Sequence, residues 1–482
     1  MIIKREMYLT ISFGILLLFY ILSEFWTKIF LAMPIYFIIG IVFACLLFFA
    51  YRTKILLIIK NLLKQKVGIV LMLFFIWTVI TIIVSLMKQS FILSSFLTNY
   101  IGNFFNSILF PMLFSCCFIV LTNQNKILKK ILISIYLFVF IMGFIDYFAI
   151  NLNMDFLVNL LKFFVNKPMV SADVVERTIR MDYGIARVAS ICREPGEYAG
   201  FLIVSCPIFL YFWKTKEKIF KNKILDILLK KSLLILFLIS LYLTQSPINI
   251  IFLSILVIIY ICSKYKKKQI FLVGFIIFIC VALASLYINY YGINASSSLV
   301  KRIIAVKNTI SSIDSMVEVE PSFATRICSL EAEYRVAIDN PVFGVGYGNI
   351  NSVWGSYVLS LPHSITPEVA LYAKNKTQAG GASFLFKILA ETGFVGCFIL
   401  YYYWYVLYRE GLRVAKRSNE KDFITSLAQT LFIYVLFSWH LYTPPIYLVY
   451  FGFLLGFVYK NKYEKRYAVI KILNKEIDNM ER

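Results

Sequence analysis

The sequence predicts an all-α integral membrane protein of about twelve transmembrane helices with two long outer loops. Three observations carry that prediction. The 482 residues are 60% hydrophobic and 17% aromatic, with a mean hydropathy of +0.78, more apolar surface than a soluble fold of this size can bury. Apolar runs near the ~20 residues needed to cross a bilayer recur along the whole chain. The net charge of +23 is distributed by side, not by domain.

The runs fall near 7–22, 29–51, 67–87, 104–121, 131–150, 197–213, 232–244, 247–262, 270–291, 383–408, 423–440 and 444–460. Alternating these spans puts both chain ends on one side. That side, with its helix ends, holds 33 of the 49 Lys+Arg and 10 of the 26 Asp+Glu, while the other side balances. Such an excess marks the cytoplasmic face, so the Lys-rich segments Arg52 to Lys66, Lys214 to Lys231, Lys264 to Lys268, Arg409 to Lys421 and Lys460 to Arg466 read as cytoplasmic. The positive charge is thereby explained without nucleic acid. The first run has no small-residue cleavage site and reads as a retained membrane helix.

The first five spans (residues 1–150) have short connections and read as scaffold. Asp146, near the outer end of the fifth, is either an intramembrane functional acid or a carboxylate solvated at the interface. Residues 151–196 form the first long loop, and residues 197–291 the central spans. Residues 292–382 form the second long loop, 383–460 the last spans, and 461–482 a cytoplasmic tail.

The first loop ends in Arg187-Val-Ala-Ser-Ile-Cys-Arg193-Glu194-Pro195-Gly-Glu197. Pro195 suits the first turn of a helix, and Glu194 and Glu197 suit the positive end of its dipole. Arg187 and Arg193 stand just before free helix N–H groups, an arrangement that can receive a phosphate or diphosphate or simply anchor the helix at the interface. Arg193 has Glu197 one turn on as a structural partner; Arg187 has no acid at that spacing. The turn Thr244-Gln245-Ser246-Pro247 between two short spans is explained by turn chemistry alone.

In the second loop, residues 321–340 read as one helix, opened by Pro321 and ended by Asn340-Pro341. Ile327, Leu330, Val336 and Ile338 lie along it, and Glu331 and Arg335 form a favourable i, i+4 pair. Arg326 has no such neighbour and is either an anion ligand or an anchor. Gly344-x-Gly346-x-Gly348 follows a helix, not a strand, so it is no dinucleotide fingerprint but a turn of close backbone approach. His363, in Leu-Pro-His-Ser, is a candidate general base or a hydrogen-bonding surface residue. In the tenth span Lys387 and Glu391 sit one turn apart, either neutralising each other or, with Gly393 and Gly396, lining a polar cleft.

The nine cysteines are mostly within apolar spans; Cys192 and Cys328 fall in the two outer loops without a spacing that argues for a disulfide. Two histidines and no Cys/His cluster give no reason to expect a metal.

Four features occur in one order: Arg187-x6-Glu194-Pro195, Ser246-Pro247, Asn340-Pro341-x-x-Gly-x-Gly-x-Gly, and Ala390-Glu391-x-Gly393-x-x-Gly396. Together, over residues 130–440, they resemble the O-antigen polymerase and ligase family, the Wzy-type polymerases in particular. Arg180 and Gly196 also satisfy an Arg-x15-Gly spacing of some polymerases. Many relatives carry His-Asn where the tenth span begins; this chain has Ala382-Ser383, so no histidine base carries over to that position.

The resemblance implies transfer of a growing glycan from one undecaprenyl diphosphate to the sugar end of another lipid-linked repeat unit. It implies an inverting membrane glycosyltransferase of the bacterial inner membrane, without metal or cofactor, its long loops periplasmic. Its partners would be the lipid-linked donor and acceptor, with a chain-length regulator and a flippase. Arg187, Arg193 and Arg326 are then diphosphate ligands, and Glu194, His363 or Glu391 the base. Ligation to lipid A core is the alternative enzyme reading. A transporter would more often show mid-membrane charges and repeated halves; here the unusual polar residues lie in outer loops and at outer helix ends.

Overall fold

The computed structural model describes residues 59–88, 125–152, 195–244, 312–319, 321–375, 383–437 and 450–460, with Met154, 156–157, Val188 and Ser190. The expected spans near 7–22, 29–51, 104–121, 247–262 and 270–291 lie outside them, as do Gln245, Ser246 and Pro247.

Among the described residues the bounded helices are α1 Lys66–Met87, α2 Asn125–Asn151, α3 Pro195–Lys214, α4 Lys223–Leu243, α5 Ile313–Val319, α6 Pro321–Asp339, α7 Ile350–Leu359, α8 Pro367–Lys374, α9 Phe384–Ala415 and α10 Lys421–Phe437. Residues 450–460 are also helical, and no strand occurs among the described residues. Among the described residues three helices are long and apolar enough to cross a membrane, over Lys66–Met87, Lys129–Ala149 and Phe384–Ala415; Tyr198–Lys214 is a shorter apolar helix.

Helix α1 shows why lipid is its solvent. Thr78, Thr81 and Ser85 share one face and are buried, whereas Ile69, Leu73, Ile83 and Met87 point outwards. Water would favour the reverse; in a bilayer, apolar exterior costs nothing and small polar residues let helices approach closely. Helix α4 repeats the pattern, exposing Ile224, Leu228, Ile235 and Leu238 while burying Asp226, Lys230 and Ser240.

Helix α9 is central, packing against α1, α6 and α10; α3 packs against α4 and α10, and α2 against α4. At one end of the bundle Lys129, fully buried, meets Glu217 at 2.5 Å and Glu420 at 2.6 Å, its ammonium over the rings of Tyr211 and Phe423. At the other end Asp146 accepts from the Ser190 N–H at 3.2 Å, and Asn349 donates to Ser85 Oγ at 3.0 Å.

Two segments read as basic loops are helical in part. Helix α4 starts at Lys223, capped by the Asn222 side chain, because Asp226 accepts from the Ile219 and Phe220 N–H groups and pairs with Lys230 at 2.7 Å. Helix α9 likewise continues to Ala415. Hydropathy finds where a chain enters lipid, not where its helix stops.

Helices α5 to α8 form a subdomain with its own core: Cys328, Ala332 and Val336 of α6, Ile350, Trp354 and Val358 of α7, and Val369 and Ala373 of α8, seated with Val345 on Ala390 of α9. Helix α6 is pinned at both ends to the bundle. Arg326 lies against the start of α3, and Asn340 accepts from Lys88, just past α1, at 3.5 Å.

Candidate functional site

The site is built where α3 begins. A Cβ placed on Gly196 would stand 3.1 Å from one guanidinium nitrogen of Arg326 and 3.8 Å from the other, so the absence of a side chain there admits the arginine to the helix backbone. A cation from α6 is thereby held at a helix N-terminus, where unsatisfied N–H groups already favour an anion. Arg187, Arg193 and Glu194 lie outside the described residues. The chain beside them is fixed by Val188, whose N–H donates to the Leu243 carbonyl at 3.1 Å. It is fixed again by Ser190, which takes a left-handed φ of 54° and donates its hydroxyl to the Val139 carbonyl at 2.7 Å.

Asp146 corrects one expectation. It is 5% exposed and holds the Ser190 N–H, so it is not solvated at the interface; it ties the end of the first loop to α2.

The glycine turn docks backbone to backbone on a break in α9. Gly393 interrupts that helix at φ 68° and ψ −177°, leaving groups that the turn satisfies. Val345 N–H donates to the Ala390 carbonyl at 2.8 Å, Gly346 N–H to Glu391 at 3.1 Å, and Phe394 N–H to Pro341 at 2.8 Å. A Cβ on Gly344 would fall 2.4 Å from the Glu391 carbonyl carbon, and one on Gly393 2.1 Å from the Val342 oxygen. Helix α1 closes the joint: Trp77 Nε1 donates to the Thr392 carbonyl at 2.9 Å, and its ring stacks on Phe343 at 5.3 Å. Two motifs distant in sequence are therefore the two halves of one contact. Gly396 presses instead against the Thr392 side chain and Trp77, within the helix packing and not in a cleft.

Glu391 sits behind this joint with no exposed surface, and neither carboxylate oxygen has a hydrogen bond of acceptable geometry among the described residues. The Gly348 and Ile350 amides, at the start of α7, face it, and Lys387 lies one turn earlier. Enclosed in this way, it has no access to a substrate hydroxyl in this arrangement. Its position suits an anchor for the N-terminus of α7.

His363 is also committed elsewhere. Nδ1 lies 2.9 Å from the Ser364 carbonyl and Nε2 2.9 Å from Glu331 Oε2, an arrangement of two acceptors that favours the protonated ring. Burial alone would lower its pKa, but the Ser364 carbonyl and Glu331 carboxylate outweigh burial and raise it above 6.5. Glu331, which also holds Arg335 at 2.8 Å, is likewise penalised by burial yet net lowered by His363 and Arg335. His363 is thus the middle of a structural triad and a poor general base. The sequence showed the Glu331–Arg335 pair; the third member, 32 residues away, carried no signal.

Of the four apolar residues read along α6 only Val336 belongs to its buried face. Ala324, Thr325, Cys328, Ser329, Ala332, Glu333 and Val336 face inwards, whereas Ile338 is 48% exposed. Glu333 is fully buried, and nothing in the sequence pattern marks it out from the other acids of the same helix. Ser383, at the departure noted in the sequence, caps α9 by accepting from Phe386 N–H at 3.4 Å. Cys328 is a buried thiol in the subdomain core; Cys192 lies outside the described residues. No group of three or more His, Cys, Asp or Glu suited to a metal occurs among the described residues.

Residues 232–401, about a third of the chain, match the family model described as O-antigen ligase. No individual curated protein matches the chain. The matched stretch holds Arg326, the glycine turn, His363 and Glu391, and excludes the first outer loop. A membrane helix bundle whose α5–α8 subdomain joins a broken span at this glycine turn is thus similar, over that stretch, to O-antigen ligases, and the match supports the O-antigen ligase and polymerase family of membrane glycosyltransferase-like enzymes.

Proposed function

We propose that this protein polymerises undecaprenyl-diphosphate-linked oligosaccharide repeat units at the periplasmic face of a bacterial inner membrane, its termini cytoplasmic. The observation that carries this reading is the approach of Arg326 to Gly196 at the N-terminus of α3, the helix preceded in sequence by Arg187, Arg193 and Glu194.

In the reaction an acceptor hydroxyl oxygen bonds to the anomeric carbon of the donor glycan from the face opposite the diphosphate. The carbon–oxygen bond to the diphosphate breaks, its electron pair leaves with the diphosphate, and a base takes the hydroxyl proton. Charge thus accumulates on the leaving diphosphate. Arg326, joined by Arg187 and Arg193, would stabilise it more in the transition state than in the bound donor. With Glu391 enclosed and both ring nitrogens of His363 engaged by Ser364 and Glu331, Glu194 is the remaining nominee for the base.

The test is the glycan ladder of a deletion strain carrying wild type, Arg326→Ala or Arg187→Ala, with membrane levels checked by blot. The reading expects normal insertion and single repeat units only. Wild-type ladders in both variants would make the arginines anchors and remove the site assignment; an intact ladder in the deletion strain would remove the polymerase itself. The description of the matching family favours a second reading, ligation of finished glycan to another acceptor. A polymerase defect leaves single repeats attached to that acceptor, whereas a ligase defect leaves none.

A further inference from the structure

Two stripes run side by side where α1 packs against α9. On α9, Phe398, Tyr402, Tyr405 and Arg409 recur at four, three and four residues and line one face over roughly 16 Å at helical rise. Phe398 is 71% and Tyr405 51% exposed. Phe398 stacks on Tyr402 at 6.2 Å and Tyr402 on Tyr405 at 6.4 Å. Arg409 lies over the Tyr405 ring at 5.6 Å and donates to its hydroxyl at 3.2 Å. On α1, Lys66, Ile69, Leu73 and Ile76 recur at three, four and three residues, all exposed. Lys66 joins the stripes, its ammonium standing 5.4 Å from the centre of the Tyr402 ring. Because Lys66 meets Tyr402 while Trp77 meets Thr392, the two helices run in opposite directions and their cations gather at one end. That end borders two of the basic segments read as cytoplasmic, Arg52 to Lys66 and Arg409 to Lys421. Neither Lys66 nor Arg409 has an ion pair among the described residues; Glu410, next to Arg409, is held by Arg413.

We propose that the seam between α1 and α9 holds an anionic glycerophospholipid of the cytoplasmic leaflet, its phosphate taken by Lys66 and Arg409 and its acyl chains laid against Ile69, Leu73 and Phe398. Two cations braced on tyrosine rings call for an anion, and basic sites between membrane helices are where acidic headgroups bind. Hydrocarbon on the membrane side of those cations calls for an anion that carries chains, which a free phosphate lacks. A zwitterionic headgroup brings its own cation to the site. A second copy of the chain, related by a two-fold axis through the seam, would set Lys66 and Arg409 against their like. The inference rests on the membrane reading of the chain and not on the reaction assigned to Arg326.

The test uses the full-length protein, delipidated in detergent and titrated with phosphatidylglycerol or phosphatidylcholine of matched chains, bound lipid being counted by native mass spectrometry. Wild type should take one phosphatidylglycerol at a concentration about tenfold lower than phosphatidylcholine, the order expected for two cations beside one acidic headgroup. The double variant Lys66→Gln, Arg409→Gln should lose that preference with its unfolding temperature in phosphatidylcholine nanodiscs unchanged. Lys221→Gln with Lys223→Gln removes equal charge from exposed lysines at the same end, without an aromatic ring in contact, and should keep the preference within about twofold. In a second arm, p-benzoylphenylalanine at position 398 in mixed nanodiscs should give lipid adducts enriched in phosphatidylglycerol over the bulk, and bulk proportions in the double variant. No preference in wild type, or an equal loss in the Lys221 and Lys223 variant, overturns the seam as a site and leaves only the general charge of that face. Glycerol phosphate competing as well as phosphatidylglycerol overturns the lipid in favour of a free anion; adducts to another copy of the chain overturn it in favour of a subunit contact.

Discussion

Replacing Gly393 by alanine tests the joint between the subdomain and the membrane bundle. At φ 68° and ψ −177° Gly393 occupies a region almost reserved for glycine, where a side chain costs about 1–3 kcal/mol. The new Cβ would also stand 2.1 Å from the Val342 carbonyl oxygen, so backbone must move. The three backbone hydrogen bonds of the joint, at 2.8, 3.1 and 2.8 Å, are each worth about 1 kcal/mol. Losing the conformation and part of these bonds destabilises docking by about 3–4 kcal/mol, roughly a 10²–10³-fold larger undocked population. Gly411→Ala in the same helix is the comparison. There the Cβ meets the flexible Leu454 side chain, nearest at Cδ1 at 2.7 Å, in ordinary helical backbone, and the gain of about 1 kcal/mol in helix propensity offsets repacking.

Cys328 is a natural reporter, since it is fully buried in the core cluster that contains Val345 and Ala390. Its maleimide labelling, followed by peptide mass spectrometry under conditions where opening is in rapid equilibrium, should rise about 10²–10³-fold in Gly393→Ala and less than about tenfold in Gly411→Ala. Equal labelling of wild type and Gly393→Ala would show that the broken helix and glycine turn do not hold the subdomain in place.

Other outcomes follow from single contacts. Gly196→Val should abolish chain extension at normal protein level and Gly196→Ala should reduce it severalfold, because the guanidinium of Arg326 occupies the added volume; the glycan ladder reads both. The raised pKa of His363 contributes stability that is complete below 6.5 and lost as pH rises through the folded value. The lowered pKa of Glu331 contributes stability that is complete above 4.5 and lost as pH falls through its folded value. Protection of Cys328 should therefore be greatest near pH 4.5–6.5, and His363→Gln should remove the loss on the alkaline side. Lys129→Met leaves Glu217 and Glu420, about a quarter exposed, facing each other without their shared cation, and should cost about 1–3 kcal/mol in thermal unfolding measured in detergent.

Much of the fold is legible in single residues and runs. The apolar runs at 67–87, 131–150 and 383–408 correspond to α1, α2 and α9 because every backbone polar group in lipid must be satisfied internally, which forces helix on any such run. Pro321 and Asn340-Pro341 bound α6 correctly because proline acts within one or two residues of itself. Pro195 opens α3 for the same local reason.

Tertiary structure decided what each polar residue is for. Glu391 and His363 look alike in sequence as candidate bases; the amides that face Glu391 and the carboxylate that holds the imidazole come from chain 30 to 45 residues away. The glycines of 344–348 declared a close approach, but only the fold shows that what approaches is the break at Gly393, since hydrogen bonding between distant segments leaves no periodic trace. Arg326 and Gly196 are separated by 130 residues, and nothing local to either one specifies the other. Composition and local propensity determine that the chain is a bundle of membrane helices; long-range packing determines which of its charges meet.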